Sequence, residues 1–277
     1  MNLFVFIQYV LPKHAITWLT GKFANYEGGE LTTKVIRWFV KRYNVNMSEA
    51  ENTDIDSYKT FNQFFTRPLK QGARPIAAAR FISPVDGAIS QFGPIKQDQI
   101  YQAKNHNYST LALLAGNQAL AKPFDNGSFA TLYLSPKDYH RIHMPCDGTL
   151  KSMTYVPGEL FSVNPVTAEG VAGLFARNER VVCEFDGEFG KFIMVLVGAT
   201  IVGSMATKWH GVVNPPRAKQ AKSWQYDKQN IQLKQGEEMG QFLLGSTVVM
   251  LFESNAIVFT EGWHATKSIR LGEEMGG

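Results

Sequence analysis

The chain has 277 residues, 44% of them apolar and 19% charged, with 24 glycines and 12 prolines; this globular composition excludes a disordered, collagen-like or coiled-coil protein and fits one large domain or one domain with an appendage. Two cysteines, Cys146 and Cys183, are too few for a disulfide framework or a zinc site and suit a reducing compartment. The net charge of +4 is too mild to argue for a nucleic-acid partner, and none is expected.

The N-terminal run Leu3–Leu11 is apolar up to Pro12. It falls short of the ~20 residues a spanning helix needs. It also lacks the basic start and small-residue cleavage site of a secretory signal. Beyond Gly28-Gly29, Leu31, Val35, Trp38 and Phe39 recur at helical spacing, and the charges among them are Lys34, Arg37, Lys41 and Arg42, with no acid. A basic amphipathic helix carrying Trp and Phe suits a membrane interface, and equally suits packing on the rest of the protein. The reading adopted is a helical, membrane-associating region over residues 1–75. Deleting residues 1–24 is then expected to impair membrane association more than any chemistry.

From Thr60 a short helix is predicted to end at Pro68, with a linker through Pro75. From Phe81 onward, apolar runs alternate with Gly, Pro, Asp and Asn, the pattern of strands and turns, so residues 76–277 are expected to form a β-rich catalytic domain. Leu111–Leu120 reads as one short helix. Phe192–Val197 is the clearest strand, continued by Ala199–Val202. The uncharged window from Phe192 to Thr207 reads as buried sheet rather than a membrane span. Pro-x-Asp-Gly occurs twice, ending at Asp86-Gly87 and at Asp147-Gly148. Two ordinary tight turns explain it; a duplicated β unit would too.

No Walker loop, Rossmann glycine fingerprint or His-Glu-x-x-His is present. His140 and His143 in Tyr139–Pro145 form the densest imidazole cluster, without the further ligands a metal needs, and no metal is expected. On a strand they would face opposite sides and do different work. Near the C-terminus, Lys234–Phe252 reads as a hairpin whose second strand starts at Ser246. The Gly245–Ser246 bond allows a second reading. Glycine leaves its carbonyl unshielded and accepts a strained backbone. The Ser246 hydroxyl can attack that carbonyl and turn the amide into an ester. β-Elimination then cuts the chain and leaves dehydroalanine, which hydrolyses to a pyruvoyl group.

Leu244-Gly245-Ser246-Thr247 resembles the processing site of the pyruvoyl-dependent phosphatidylserine decarboxylases. Further stretches resemble the bacterial type in the same order: Thr60–Leu69, Asp86-Gly87, Asn105–Ser109, Tyr139–Pro145, Tyr155–Gly158, Phe161–Asn164, Phe175–Arg180 and Val197–Ser204. The resemblance implies an α+β fold, with N-terminal amphipathic helices followed by a mainly antiparallel β body, for which duplicated lipoyl-like hairpin units are one possible construction. It implies a proenzyme that cleaves itself after Gly245 into chains 1–245 and 246–277. Ser246 becomes the covalent pyruvoyl cofactor, with no diffusible cofactor beside it. Asp86, His143 and Ser246 would carry the cleavage, His143 taking the serine proton and Asp86 orienting the imidazole. Asp147 is the rival to Asp86 at the echo position. The substrate would be phosphatidylserine in the bilayer, bound as a Schiff base and released as phosphatidylethanolamine after loss of CO₂. His140 would contact the substrate carboxylate or return the proton.

The expected address is peripheral, on the cytoplasmic face of the inner membrane; a homo-oligomer is compatible with the sequence. Two other classes remain open at this point. A serine hydrolase could use Ser246, His143 and Asp86, although no Gly-x-Ser-x-Gly elbow surrounds the serine. A lipoyl-like membrane-docking module would share the glycine-rich hairpin Gly236–Gly240 but needs a lysine at its tip, and none stands near Ser246.

Overall fold

The computed structural model describes residues 3–103, 106–201, 204–243 and 246–277. Three helices open the chain: α1 (Leu3–Val10), α2 (Lys13–Ala24) and α3 (Glu30–Tyr43). Pro12 separates the first two, since a proline carries no N–H for a helix to continue through. Asn44, left-handed at φ 54°, closes α3. α3 turns Thr32 and Ile36 inward, with Val35, Phe39, Val40 and Tyr43 partly covered. The expected stripe is therefore divided. Val35 and Phe39 pack, whereas Leu31 and Trp38 face outward with Lys34, Lys41 and Arg42. No helix among the described residues is long and apolar enough to cross a membrane.

The short helix expected before Pro68 is α4 (Phe61–Phe65), whose first turn is capped by Thr60 accepting the Gln63 N–H at 3.1 Å. Phe61, Phe64 and Phe65 cluster around Phe39 with ring centroids 5.1, 5.9 and 6.1 Å away. This aromatic knot fixes α3 and α4 to each other, and both to the β body through one shared apolar cluster that also takes in Val5 and Ala24.

The body is mainly antiparallel. Among the described residues its principal sheet has nine strands, with Ser246–Phe252 in the interior between Gly190–Val197 and Ser128–Leu134. Every residue of Ser246–Phe252 is buried. Val249 and Leu251 face the cluster under the helices, while Val248, Met250 and Phe252 face a second cluster on the opposite side, as the two-residue repeat of a strand requires. A four-stranded sheet carries Gly211–Asn214, Met205–Thr207, Glu238–Phe242 and Arg141–His143 in that order.

Three local expectations change. Glu238–Phe242 and Ser246–Phe252 are both strands but not a hairpin, because each pairs in a different sheet. The chain thus reaches Ser246 as it crosses from one sheet to the other. Leu111–Leu120 is broken into Thr110–Leu113 and Gln118–Ala121 by Ala115 and Gly116, both at positive φ. The strand ending at Val197 is not continued by Ala199, which turns away to line a pocket; Val202 lies outside the described residues. The two Pro-x-Asp-Gly turns each start a strand of the principal sheet, Gly87–Pro94 and Gly148–Val156. A Cβ on Gly87 would strike the Tyr133 carbonyl, and one on Gly148 the Phe192 ring.

Candidate active site

Strand Ser128–Leu134 ends where Asp138 accepts both the backbone N–H and the hydroxyl of Ser135 at 2.7 Å. This turn delivers Tyr139 and His140 into the protein and returns the chain as strand Arg141–His143. Arg141 anchors it, donating to the Thr66 carbonyl and to Glu238, each at 2.8 Å.

His140 is 0% exposed and stacks on Phe65 at 4.2 Å between ring centroids. Its Nε2 lies 3.1 Å from the Ser135 carbonyl. A carbonyl only accepts, so the ring proton sits on Nε2. Nδ1 keeps its lone pair and has no hydrogen-bond partner among the described residues. Burial, with Arg67 adding to it, pushes the imidazole down to about 3. His140 is a neutral ring.

His143 carries the opposite tautomer. Nδ1 lies 2.8 Å from the Gly236 carbonyl and therefore bears the proton, leaving Nε2 to accept from the Tyr139 hydroxyl at 3.1 Å. Burial lowers its proton affinity below the usual imidazole value, against the pull of the Gly236 carbonyl. His140 lies just ahead of strand Arg141–His143 and not on it, and the two rings differ in their bare nitrogen: Nδ1 of His140 has no partner among the described residues, whereas Nε2 of His143 accepts from Tyr139.

Asp86 is 7% exposed and is gripped from two directions. Arg74 donates through Nε at 2.9 and 3.1 Å and through its terminal nitrogen at 2.5 Å, and the Leu271 N–H donates at 2.9 Å. Arg74 also reaches Glu49 at 2.7 Å. Burial works against the guanidinium charge, but the two carboxylates outweigh it and keep Arg74 cationic. Asp147 sits differently, at the surface, accepting from Lys234 Nζ at 2.7 Å and the Gln235 N–H at 2.8 Å.

Ser246 is 1% exposed, with its Cα opposite that of Leu134. Its Oγ has no hydrogen-bond partner among the described residues. A buried hydroxyl without a partner is a destabilised group and calls for a reason. Gly245, on the other side of the expected scissile bond, lies outside the described residues. Ser246 opens onto a cavity of about 200 Å³ with apolar walls from Phe65, Val163, Ala199 and Ile201 and polar positions at Ser162, Asn164 and Thr200. Asp86, Arg74, Tyr139 and Asp138 line a separate polar cavity of about 520 Å³, and Tyr133 borders both.

The structure thus brings Asp86, Tyr139 and His143 into one neighbourhood and places Ser246 on the adjoining cavity. Among the described residues no hydrogen bond joins His143 to Asp86 or Ser246 to either histidine. Arg74 and Leu271 were missed by sequence reasoning, and no local signal marks them: one lies in the predicted linker, the other in the C-terminal segment that had carried no motif. Tyr139 stood inside the imidazole cluster and could have been noticed there. The chemistry of the site suits a carbonyl cofactor made from Ser246, because the orphaned Oγ and its apolar, enclosed surroundings would hold a reactive ketone away from bulk water.

Sequence comparisons agree with this geometry. The family model described as phosphatidylserine decarboxylase matches residues 61–277, and a second, described as PSD, matches residues 3–44. A phosphatidylserine decarboxylase proenzyme of Dechloromonas aromatica is 66% identical over 275 residues, covering 99% of this chain and 98% of the relative. Proenzymes of the same name from Methylobacillus flagellatus and an Azoarcus species are 66% and 65% identical, covering 97% and 99% of this chain and 96% of each relative. With the family model spanning the whole β body and the relatives aligned nearly end to end, the chain belongs to the phosphatidylserine decarboxylase family.

Proposed function

We propose that the chain is a self-processing decarboxylase that converts phosphatidylserine to phosphatidylethanolamine and CO₂ at a membrane surface, using a pyruvoyl group formed from Ser246. The observation that carries this reading is the buried Ser246 hydroxyl, without a hydrogen-bond partner among the described residues, at the head of an interior strand. Cleavage between Gly245 and Ser246 leaves the strand Ser246–Phe252 in place, held on both sides by its neighbours, and frees only its first residue.

In the cleavage step His143 is the base. Its tautomer, fixed by Gly236, presents Nε2 for the Ser246 proton once the Tyr139 hydroxyl gives way. Asp86 acts through its charge, favouring the imidazolium that forms. Arg74 and Leu271 keep that carboxylate fixed. The pyruvoyl group supplies the electron sink for decarboxylation. His140 remains neutral behind Phe65, which lines the pocket, and its Nδ1 lone pair has no partner among the described residues. That lone pair can take the proton the substrate ammonium sheds before it attacks, and a desolvated imidazolium surrenders it readily, which suits His140 to return that proton to the substrate carbon.

Residues 1–75 make the membrane contact and residues 76–277 the catalytic body, with the cytoplasmic face of the inner membrane as the site of action. The exposed apolar side chains of α1 and α2, among them Phe6, Ile7, Trp18, Leu19 and Phe23, support the first assignment. They lie on the same helices that touch the Ser246 pocket.

The test is the intact mass of the denatured, substrate-free protein. Two chains, 1–245 and 246–277, with a borohydride-reducible ketone at the start of the smaller, support the reading. A single chain with Ser246 intact that hydrolyses esters would instead establish a serine hydrolase.

A further inference from the structure

Of the eight residues of α1, only Val5 and Gln8 are buried. Val5 packs on Gly170 so closely that a Cβ there would collide with it. Gln8, at 5% exposure, is the unexpected member: a long polar side chain driven inward on a helix whose apolar residues largely face out. Burying an amide is unfavourable unless its polar atoms are satisfied. Here Oε1 accepts the Ser162 N–H at 3.0 Å and lies 3.4 Å from the Thr200 hydroxyl oxygen. Ser162 and Thr200 belong to two loops far apart in sequence, and both line the cavity that contains Ser246.

Further bonds follow the same route. The Gln8 carbonyl accepts from Lys13 Nζ at 3.0 Å, and Lys13 pairs with Glu159 at 3.0 Å, just ahead of the first loop. Thr17 of α2 accepts the Ile201 N–H at 3.1 Å, on the second. The Thr200 hydroxyl, for its part, donates to the Leu160 carbonyl and joins the loops directly.

We propose that Gln8 and Thr17 are positioning residues of the decarboxylation reaction: from the helices that face the membrane they clip the pocket loops in place, Gln8 holding the first through the Ser162 N–H and Thr17 the second through the Ile201 N–H. The inference rests on the reading of Ser246 as the pyruvoyl precursor and its cavity as the head-group pocket. Neither residue reaches Ser246. Their effect is on the shape of the pocket and so on substrate binding. Because Oε1 makes the contacts and Nε2 makes none among the described residues, a carboxylate can replace the amide while an isosteric thioether cannot.

The experiment compares full-length wild type, Gln8→Met, Gln8→Glu and Thr17→Val in three measurements: the self-cleaved fraction by mass, sedimentation with phosphatidylglycerol–phosphatidylcholine vesicles, and kcat and KM for phosphatidylserine in mixed micelles. Gln8→Met is expected to cleave itself and bind vesicles as wild type does, with KM raised roughly tenfold, as the loss of a hydrogen bond to a buried N–H implies, and kcat little changed. Gln8→Glu should restore KM. An unchanged KM in Gln8→Met, or a Gln8→Glu variant as impaired as Gln8→Met, overturns the proposal. Should Gln8→Met fail to cleave, Thr17→Val is judged by the same split, and an unchanged KM there overturns it. Wild type remaining a single inactive chain would instead refute the functional reading; active wild type with unaffected variants refutes the clip alone.

Discussion

The hydroxyl of Tyr139 lies 3.1 Å from Nε2 of His143, on the nitrogen that the proposed cleavage would use as its base. Burial raises the phenol well above its ordinary value, so it stays a donor at any working pH. In the proposed cleavage Tyr139 would therefore compete with Ser246 for the base. Tyr139→Phe removes that competitor while keeping the ring beside His143. Self-cleavage is expected to accelerate roughly two- to tenfold, the worth of one intramolecular hydrogen bond, followed as the appearance of chain 246–277 with time. Slower cleavage in Tyr139→Phe would show that the hydroxyl passes the proton on instead of blocking it.

His140 sets a pH limit on the fold. Its imidazole titrates near 3 in the folded protein and near 6.5 when exposed. Above pH 6.5 neither state takes a proton and the contribution is fully present. As pH falls from 6.5 towards 3 the unfolded chain binds a proton that the folded chain refuses, and stability is lost. The loss amounts to about 2 kcal/mol by pH 5 and on the order of 4 kcal/mol at the folded value. Denaturant midpoints of the uncleavable Ser246→Ala chain should fall steeply over this window. Adding His140→Gln, which keeps a donor for the Ser135 carbonyl but does not titrate, should flatten the decline. An equally steep decline in both proteins would assign it to other groups.

The α1–α2 surface gives a test of membrane contact that leaves the interior alone. Deleting residues 1–24 would also strip Val5 and Ala24 from the core and Gln8 from the pocket loops. Leu19 and Phe23 instead face outward, and Lys22 lies over the Trp18 ring at 4.0 Å, so basic and apolar groups share one surface. Leu19→Glu with Phe23→Glu is expected to weaken binding to anionic vesicles roughly ten- to a hundredfold, from the apolar area withheld from lipid. Self-cleavage should proceed at the wild-type rate. Undiminished vesicle sedimentation would remove α2 from the interface.

What could be read from the chain was local. The short helix after Thr60, which ends at Phe65 ahead of Pro68, and the strand beginning at Ser246 depend on a few neighbouring residues. Sheet membership does not depend on spacing. Two strands on either side of Leu243 look like a hairpin until the pairing of Glu238–Phe242 with Arg141–His143 and Met205–Thr207 is known. The stripe of α3 divides for a related reason: Leu31 and Trp38 stay more than half exposed, whereas Phe39 meets α4. The partners of Asp86 were hidden for the same cause. Arg74 and Leu271 come from segments without motifs, and only the folded backbone brings the second across from the C-terminal region.

That grip on Asp86 yields the last prediction. The Arg74 side chain is 7% exposed and that of Asp86 10%, and removing one partner of so enclosed a pair leaves a buried charge uncompensated, at about 3–5 kcal/mol. Arg74→Met in the Ser246→Ala chain should lose stability of that order by denaturant unfolding, and with Ser246 present it should cleave more slowly, because the carboxylate that favours the His143 imidazolium is no longer held. Adding Asp86→Asn separates the two effects. With the charge gone, Arg74→Met/Asp86→Asn should recover most of the stability, since the Leu271 N–H still finds an oxygen to donate to. It should not recover cleavage, because that depends on the negative charge itself. A double variant that regains both would reduce Asp86 to a structural residue, and an Arg74→Met chain that cleaves at the wild-type rate would show that the guanidinium has no part in placing it.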